Sequence, residues 1–278
     1  MPVTATDSKG RFQVEIEMKF AIKSIVAAAA FVAAGAASAA LVTIDANDPS
    51  SGFIMEGSGA LTFSENLRNA LNVGSVTAEA FGGATSSITG GPGAYTNITV
   101  GAPITSLEYD DATNQVTKVF TAGGARQVAG NVPGVSGGGW VEVGNLEVNL
   151  VTNEIFGTIV GQSDAGASVN YYGKLFTIGS VTGDTTLPSP ASTGFTTLST
   201  LALDSAAFTQ ISNALALQFL GSVSLQAASS DFGTIESAIS NLVLTPPPVP
   251  SIPEPSTYAL MGLGLVGLAL ARRRRAKA

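Results

Sequence analysis

The chain has 278 residues, 45% of them apolar and 12% charged, and it contains no cysteine and no histidine. This composition excludes disulfide frameworks, cysteine nucleophiles, Ser-His-Asp triads, Cys/His zinc sites and His-ligated haem, while the length allows one sizeable core or two small ones. The net charge is -7, but residues 40–252 hold 16 Asp and Glu against four Lys and Arg, which gives -12 and disfavours nucleic acid as a partner, so none is predicted.

The first predicted element is a secretory signal peptide over residues 18–39. Two lysines begin it, an apolar run follows, and Ala37 and Ala39 form a small-x-small site for signal peptidase. We therefore expect the Sec export machinery and signal peptidase to act on the chain, with cleavage before Ala40. Residues 1–17 are polar and precede the signal, so we interpret them as an upstream extension.

Residues 40–244 are predicted to form an exported, mainly β domain, since Gly, Ser, Thr and Val dominate and turn residues recur every few positions. Residues 140–150 alternate apolar and polar positions, with a turn or bulge at Gly144 and Asn145, and residues 146–160 resemble a hairpin. Glycines 123–124 and 137–139 are interpreted as loops. Further strands are predicted over residues 74–80, 97–100, 104–109, 115–121, 174–181 and 242–245.

One or two short helices interrupt this pattern. Thr62 and Glu65 have the spacing of a capping box, and Asp204 is suited to cap a helix over residues 205–217, where apolar residues recur every three or four positions. An antiparallel sandwich is the architecture expected from many short strands separated by turns.

Carboxylates are the only plentiful titratable groups, so an enzyme would have to be a carbohydrate-active one that uses an Asp/Glu pair. Glu142 and Glu147 are close in sequence, but their positions in an alternating strand favour solvent-facing side chains. Asp110 with Asp111, and Asp45 with Asp48, offer oxygen ligands, yet these positions are more typical of turns. The sequence therefore predicts no catalytic, cofactor or metal site.

Aromatic residues offer a second type of site. Tyr171, Tyr172 and Trp140 are candidates for a sugar platform, although a single Trp is more typical of the core. The glycine-rich spacing after Gly137 loosely resembles envelope β domains of the haem-associated HtaA kind. Because no His is present as an axial ligand, no haem follows from that likeness.

The C-terminal tail has three predicted parts. Residues 245–257 form a proline-rich, extended linker, residues 258–271 an apolar transmembrane helix, and residues 272–278 a basic cytoplasmic end. At 1.5 Å per residue the helix is roughly 21 Å long, which is short for a membrane core of about 30 Å. Long basic side chains reach the lipid headgroups and remain on the cytoplasmic side, so the basic end compensates for the short length of the helix. It contains the residues Arg272, Arg273, Arg274 and Arg275.

Within this tail, Pro253, Glu254 and Pro255 precede the apolar helix and the arginine cluster, an arrangement that resembles the PEP-CTERM protein-sorting signal, also known as the ice-binding protein C-terminal domain. The resemblance covers about the last 27 residues. It implies a Gram-negative envelope protein anchored in the inner membrane and then processed near the motif by an exosortase, a membrane-embedded enzyme common in organisms that make exopolysaccharide. The two prolines keep the segment extended and Glu254 supplies a charge for recognition.

The sequence leaves three candidate functions. The first is a non-enzymatic protein of the cell envelope or the exopolysaccharide matrix, sorted by its tail and displayed at the cell surface or released. The second is a carbohydrate-active enzyme delivered to that matrix. The third is an adhesive or ice-binding surface, which requires a flat face of regularly ranked threonines that the sequence lacks.

Overall fold

A computed structural model describes residues 40–46, 53–189 and 192–244. The predicted extension, signal peptide, linker, apolar helix and basic end all lie outside these residues, together with the signal peptidase site, the sorting motif and the arginine cluster. Within the described part, no helix has the length and apolar character needed to cross a membrane.

Twelve strands and three short helices make up the described chain. The helices are α1 (Glu65–Val73), α2 (Ser205–Ala214) and α3 (Phe219–Ala228). The strands are β1 (Leu41–Asp45), β2 (Phe53–Phe63), β3 (Thr77–Phe81), β4 (Thr85–Thr89), β5 (Asn97–Asp110), β6 (Gln115–Thr121), β7 (Gly124–Val132), β8 (Ser136–Asn149), β9 (Glu154–Ser163), β10 (Ser168–Gly183), β11 (Gly194–Leu203) and β12 (Gly233–Leu244).

All pairings are antiparallel, and the strands form one continuous sheet. Eight of them close into a barrel-like ring in the order β5, β2, β12, β11, β10, β9, β8 and β6. The long strands β5 and β8 make the closure possible, because β6 pairs with the C-terminal parts of both. The predicted sandwich is therefore wrong. A sandwich has two separate sheets, whereas here one sheet curves back on itself, and β6 closes the ring by pairing with both β5 and β8.

The N-terminal parts of β5 and β8 carry additional strands. β4 pairs with residues 97–101 of β5, β7 pairs with residues 136–144 of β8, and β3 is added to β7. Alternation determines which side chains of these additional strands are buried. On β7, for example, Ala125, Gln127 and Ala129 are buried, while Arg126 and Val128 between them are partly exposed.

The three helices gather at one end of the ring. α1 follows β2, α2 follows β11, and α3 precedes β12. Asp204 caps α2, as its sequence position predicts, and accepts a hydrogen bond from the backbone of Ala206 at 2.8 Å. α1 is capped by Ser64 and not by the predicted Thr62, which belongs to β2. α3 was not predicted, because its Gly, Ser and Ala residues lack a clear helical repeat.

Most predicted strands are confirmed, including the 146–160 hairpin and the bulge at Gly144 and Asn145, where the β8–β9 register shifts. Two glycine stretches predicted as loops instead belong to strands: Gly124 begins β7, and residues 137–139 lie in β8. Glycines here bring backbones close together, which composition alone does not distinguish from a turn.

Both ends of the described chain leave at the opposite end of the ring from the helices. Leu41 pairs with Asp110 at the end of β5, and Leu244 pairs with Phe53 at the start of β2. The helix end is marked by the pairing of Phe63 with Gly233. The predicted signal peptide junction and the predicted linker are thus attached at the same end.

Candidate functional site

The interior of the ring contains an apolar cavity of about 110 Å³. Side chains from α1, α2 and α3 close it at the helix end, and strands form its walls. An eight-stranded closed sheet has an interior that side chains can either fill or leave open for one small ligand. The apolar walls include Leu61, Phe63, Leu71, Val100, Val148 and Phe176.

The open space exists because several inward positions carry small residues. Gly59, Ala102 and Ala125 line the cavity at positions where larger side chains would occupy it. Gly59 is the clearest case, because a Cβ built there would make only ordinary contacts with the side chains of Ser237 and Ile235. Small residues at these positions leave a hollow that close-packed protein interiors normally lack.

Polar groups are rare in the cavity wall, and they differ in whether they form hydrogen bonds with other residues of the protein. The Ser136 hydroxyl donates to the Leu215 carbonyl at 2.6 Å and accepts from the Gly138 amide at 2.9 Å. The Gln127 side chain is only 9% exposed and forms no hydrogen bond with any residue that the structure describes. The half-buried hydroxyl of Ser237 likewise has no partner within this part of the chain.

Sequence reasoning did not identify Gln127. The alternation along the strand could have identified it, since Gln127 occupies an inward position between Ala125 and Ala129 where an apolar residue is expected. Its cross-strand neighbours are Ala78 and Val141, neither of which has a polar side chain. Gln127 is nevertheless one of the residues that line the cavity.

The predicted carboxylate candidates lie elsewhere, on the outer face of the sheet. Glu147 accepts hydrogen bonds from the Lys118 ammonium at 2.9 Å and from the Tyr172 hydroxyl at 2.8 Å. These bonds, the one from Lys118 foremost, hold the pKa of Glu147 below its ordinary value. The same bond to Glu147 raises the pKa of Lys118. Glu147 is thus an ion-pair partner with its charge stabilised.

Glu142 belongs to a second outer-face cluster. Arg126 lies 3.4 Å from Glu142 and 3.5 Å from Glu79, and its guanidinium stacks 4.8 Å above the ring of Trp140. Trp140 is therefore half-buried on the outside and is not a core residue. Cation–π stacking explains this position, because the Arg covers the ring while its charge remains near water.

The remaining candidates do not form a shared site. Tyr171 packs against the core while Tyr172 is 61% exposed, as alternation along β10 requires, so the two rings do not share one platform. Asp110 accepts backbone hydrogen bonds from Ala112 and Thr113, both at 2.9 Å, and is the turn residue expected. Asp45 ends β1, and Asp48 lies outside the described residues.

Asp111 lies beside Ala40, the first residue that the structure describes. Its carboxylate accepts a hydrogen bond from the backbone nitrogen of Ala40 at 2.9 Å. In the part of the chain that the structure describes, no group of three or more acidic side chains has the arrangement of a metal site.

Comparison with known proteins identifies the tail. Residues 251–275 match the family model of the PEP-CTERM protein-sorting motif. No curated protein matches the chain. Among solved structures, the C-terminal domain of HtaA from Corynebacterium glutamicum is similar, with a TM-score of 0.41 and 9% identity over 67% of this chain and 98% of that one.

The tail therefore carries the sorting motif that its sequence predicts. This motif implies an exported protein, a membrane-anchored precursor and an exosortase-type enzyme that processes it on the way to the cell surface.

Proposed function

We propose that this chain is a non-enzymatic protein of a Gram-negative cell envelope or exopolysaccharide matrix, delivered through Sec and released from a membrane anchor by an exosortase. The observation that carries the proposal is the sorting motif at residues 251–275, which follows the last strand after Leu244. The last strand ends at Leu244, before the motif begins, so cleavage at the motif would leave every described strand in the chain.

The route begins at the N-terminal junction. Signal peptidase would cut between Ala39 and Ala40, and β1 begins at Leu41, so the cut leaves the sheet complete. The new α-ammonium group at Ala40 would then lie beside the carboxylate of Asp111, where a charge-assisted hydrogen bond replaces the neutral one.

The tail supplies the second half of the route. The proline-rich linker would hold the domain away from the bilayer, while the apolar residues 258–271 and the following arginines anchor the precursor with its basic end in the cytoplasm. Glu254, extended between Pro253 and Pro255, would be presented to the exosortase at the membrane surface. The exopolysaccharide matrix is the proposed destination.

The outer-face carboxylates favour a non-enzymatic role. Glycoside hydrolysis needs two carboxyl groups about 5 to 9.5 Å apart across one cleft. Glu142 and Glu147 instead form ion pairs with different cations, and no Asp or Glu is among the residues that line the interior cavity. A carbohydrate-active enzyme and an adhesive or ice-binding surface remain the alternatives that an activity or adhesion assay would reveal.

The first prediction tests the route by intact mass. The chain is expressed in a Gram-negative host that has an exosortase, and the mature protein is purified from the cell surface or medium. We expect its mass to lack residues 1–39 and the tail beyond the motif. Replacing residues 253–255 by alanines should leave the precursor in the inner membrane, because the processing enzyme loses its recognition segment.

The matched control replaces Pro246 and Pro247 by Ala, which changes linker prolines outside the matched residues. This variant should be processed like the wild type. An intact tail through Ala278 at the cell surface, or equal retention of the control, would contradict the proposal. A cytoplasmic domain would contradict export itself.

A further inference from the structure

From the cavity geometry we infer that the interior of the ring is a binding site for one small, mostly apolar molecule that carries a single hydrogen-bonding group, which the amide of Gln127 recognises. This inference goes beyond the sorting route and does not depend on it, because every residue that forms the cavity lies between Gly59 and Ser237.

The size of the cavity limits the ligand. One water molecule needs about 10 to 15 Å³ in this measure, so 110 Å³ holds roughly seven to eleven groups of that size. A monocyclic aromatic or short-chain compound fits this volume. A cavity of similar size in another protein stays dry when its walls are apolar and takes up benzene, so an apolar hollow on this scale is sufficient for binding.

The polarity of the wall specifies the rest of the ligand. Most residues that line the cavity are aliphatic, aromatic or glycine, and none of them has a charged side chain. A ligand with a formal charge would lose its hydration without gaining an ion pair. Apolar surface on the ligand, in contrast, gains the free energy of leaving water.

Gln127 provides the specific contact. Gln127 is one of the few polar side chains that line the apolar cavity, so its amide can form a hydrogen bond with a molecule bound there. The Gln127 side chain is buried between Ala78 and Val141 and forms no hydrogen bond within the described part of the chain. A hydroxyl or carbonyl group on a bound molecule would satisfy it, which is the usual role of a lone polar group in an apolar pocket.

The experiment compares two isosteric probes, 4-ethylphenol and 4-ethyltoluene, which differ only in a hydroxyl group against a methyl group. Their dissociation constants for the full chain are obtained from the concentration dependence of the thermal unfolding midpoint. We expect both probes to raise the midpoint of the wild type. One satisfied hydrogen bond contributes about a fivefold preference, so Gln127→Leu should lower the phenol-to-toluene affinity ratio by about fivefold.

Two further variants test whether the probes bind inside the cavity. Gln162→Leu makes the same substitution on the exposed surface of β9 and should leave the ratio unchanged. Ala102→Leu adds a side chain to the cavity wall and should weaken binding of both probes at least tenfold. If Gln127→Leu fails to fold, Gln127→Met removes the amide at nearly constant volume and replaces it in the comparison.

Three results would overturn the inference: no shift in the midpoint with either probe at millimolar concentration, an unchanged affinity ratio in the Gln127 variants, or undiminished binding to Ala102→Leu. None of these results bears on the sorting route, which the mass of the mature protein tests separately.

Discussion

At the residue scale, the charged side chains of the domain work mainly in pairs on the outer face of the sheet. Lys118 contacts both Glu147, at 2.9 Å, and Glu108, at 3.9 Å, and Lys174 contacts Glu154 at 2.9 Å. The three cations on strands, Lys118, Arg126 and Lys174, each neutralise a carboxylate on a neighbouring strand, whereas Arg68 on α1 donates to the Thr96 carbonyl. Such cross-strand pairs favour one register over its alternatives.

Glu147→Gln should therefore change the pH dependence of stability. Because Lys118 lowers the pKa of Glu147 in the folded state, the carboxylate stabilises the fold at pH values above its unfolded pKa, which is about 4.3. This contribution disappears as the pH falls through the folded pKa. We expect the variant to lose at most about 1 kcal/mol at pH 7, since the pair is partly exposed, and to approach the wild type at acid pH as the carboxylate becomes protonated.

Urea unfolding at several pH values measures this difference. The control is Glu236→Gln, which removes an exposed carboxylate that forms no ion pair within the described residues. Its stability should differ little from the wild type across the range. A Glu147→Gln loss that did not shrink as the carboxylate of the wild type is protonated would argue against the ion pair as its cause.

At the element scale, glycines decide how closely neighbouring strands approach. Gly124 and Gly144 pair across β7 and β8, and a Cβ at Gly144 would overlap the backbone of Gly123. The local chain bends here, because Asn145 has a positive φ of 49° and donates a backbone hydrogen bond to the Gly123 carbonyl at 2.9 Å. The bulge lets β8 pair first with β7 and then with β6.

Gly144→Ala should accordingly destabilise the domain by about 1 to 3 kcal/mol, the usual cost of forcing atoms into a packed site. The matched control is Gly130→Ala on β7, where a Cβ meets nothing within 4 Å and φ is not in the left-handed region. It should be neutral or slightly stabilising, because alanine restricts the unfolded chain more than glycine does. Urea midpoints compare the two, and equal effects would show that close packing at Gly144 is unimportant.

Local features of the fold can be predicted from the sequence, whereas contacts between distant strands cannot. Residues 146–160 alternate strongly, so the hairpin and its bulge are predictable, and Asp204 has the side chain that a helix N-terminus needs. Closure of the sheet depends on β6 meeting both β5 and β8, contacts between distant parts of the chain that no local pattern encodes. The cavity depends in turn on that closure, so Gln127 becomes a candidate only when its surroundings are known.

At the scale of the whole molecule, the ring has two different ends. The helices and the β9–β10 turn at residues 164–167 lie at one end, while Ala40, Leu244 and the β5–β6 turn at residues 111–114 lie at the other. A precursor anchored through its tail would present the second end to the membrane. The helix end of the ring, which covers the cavity, would then face away from the bilayer.

This polarity predicts a difference in protease access. A recognition sequence for a site-specific protease is inserted either at residues 164–167 or at residues 111–114, in chains whose motif residues 253–255 are replaced by alanine so that the anchor persists. Added to spheroplasts, the protease should cut the first site faster, because the bilayer and the linker crowd the second. After detergent solubilisation the two rates should converge, since both turns are exposed on the domain itself. Faster cutting at residues 111–114 in the membrane would mean that the domain lies with its helix end toward the bilayer, and the proposed arrangement of anchor, linker and ring would be wrong.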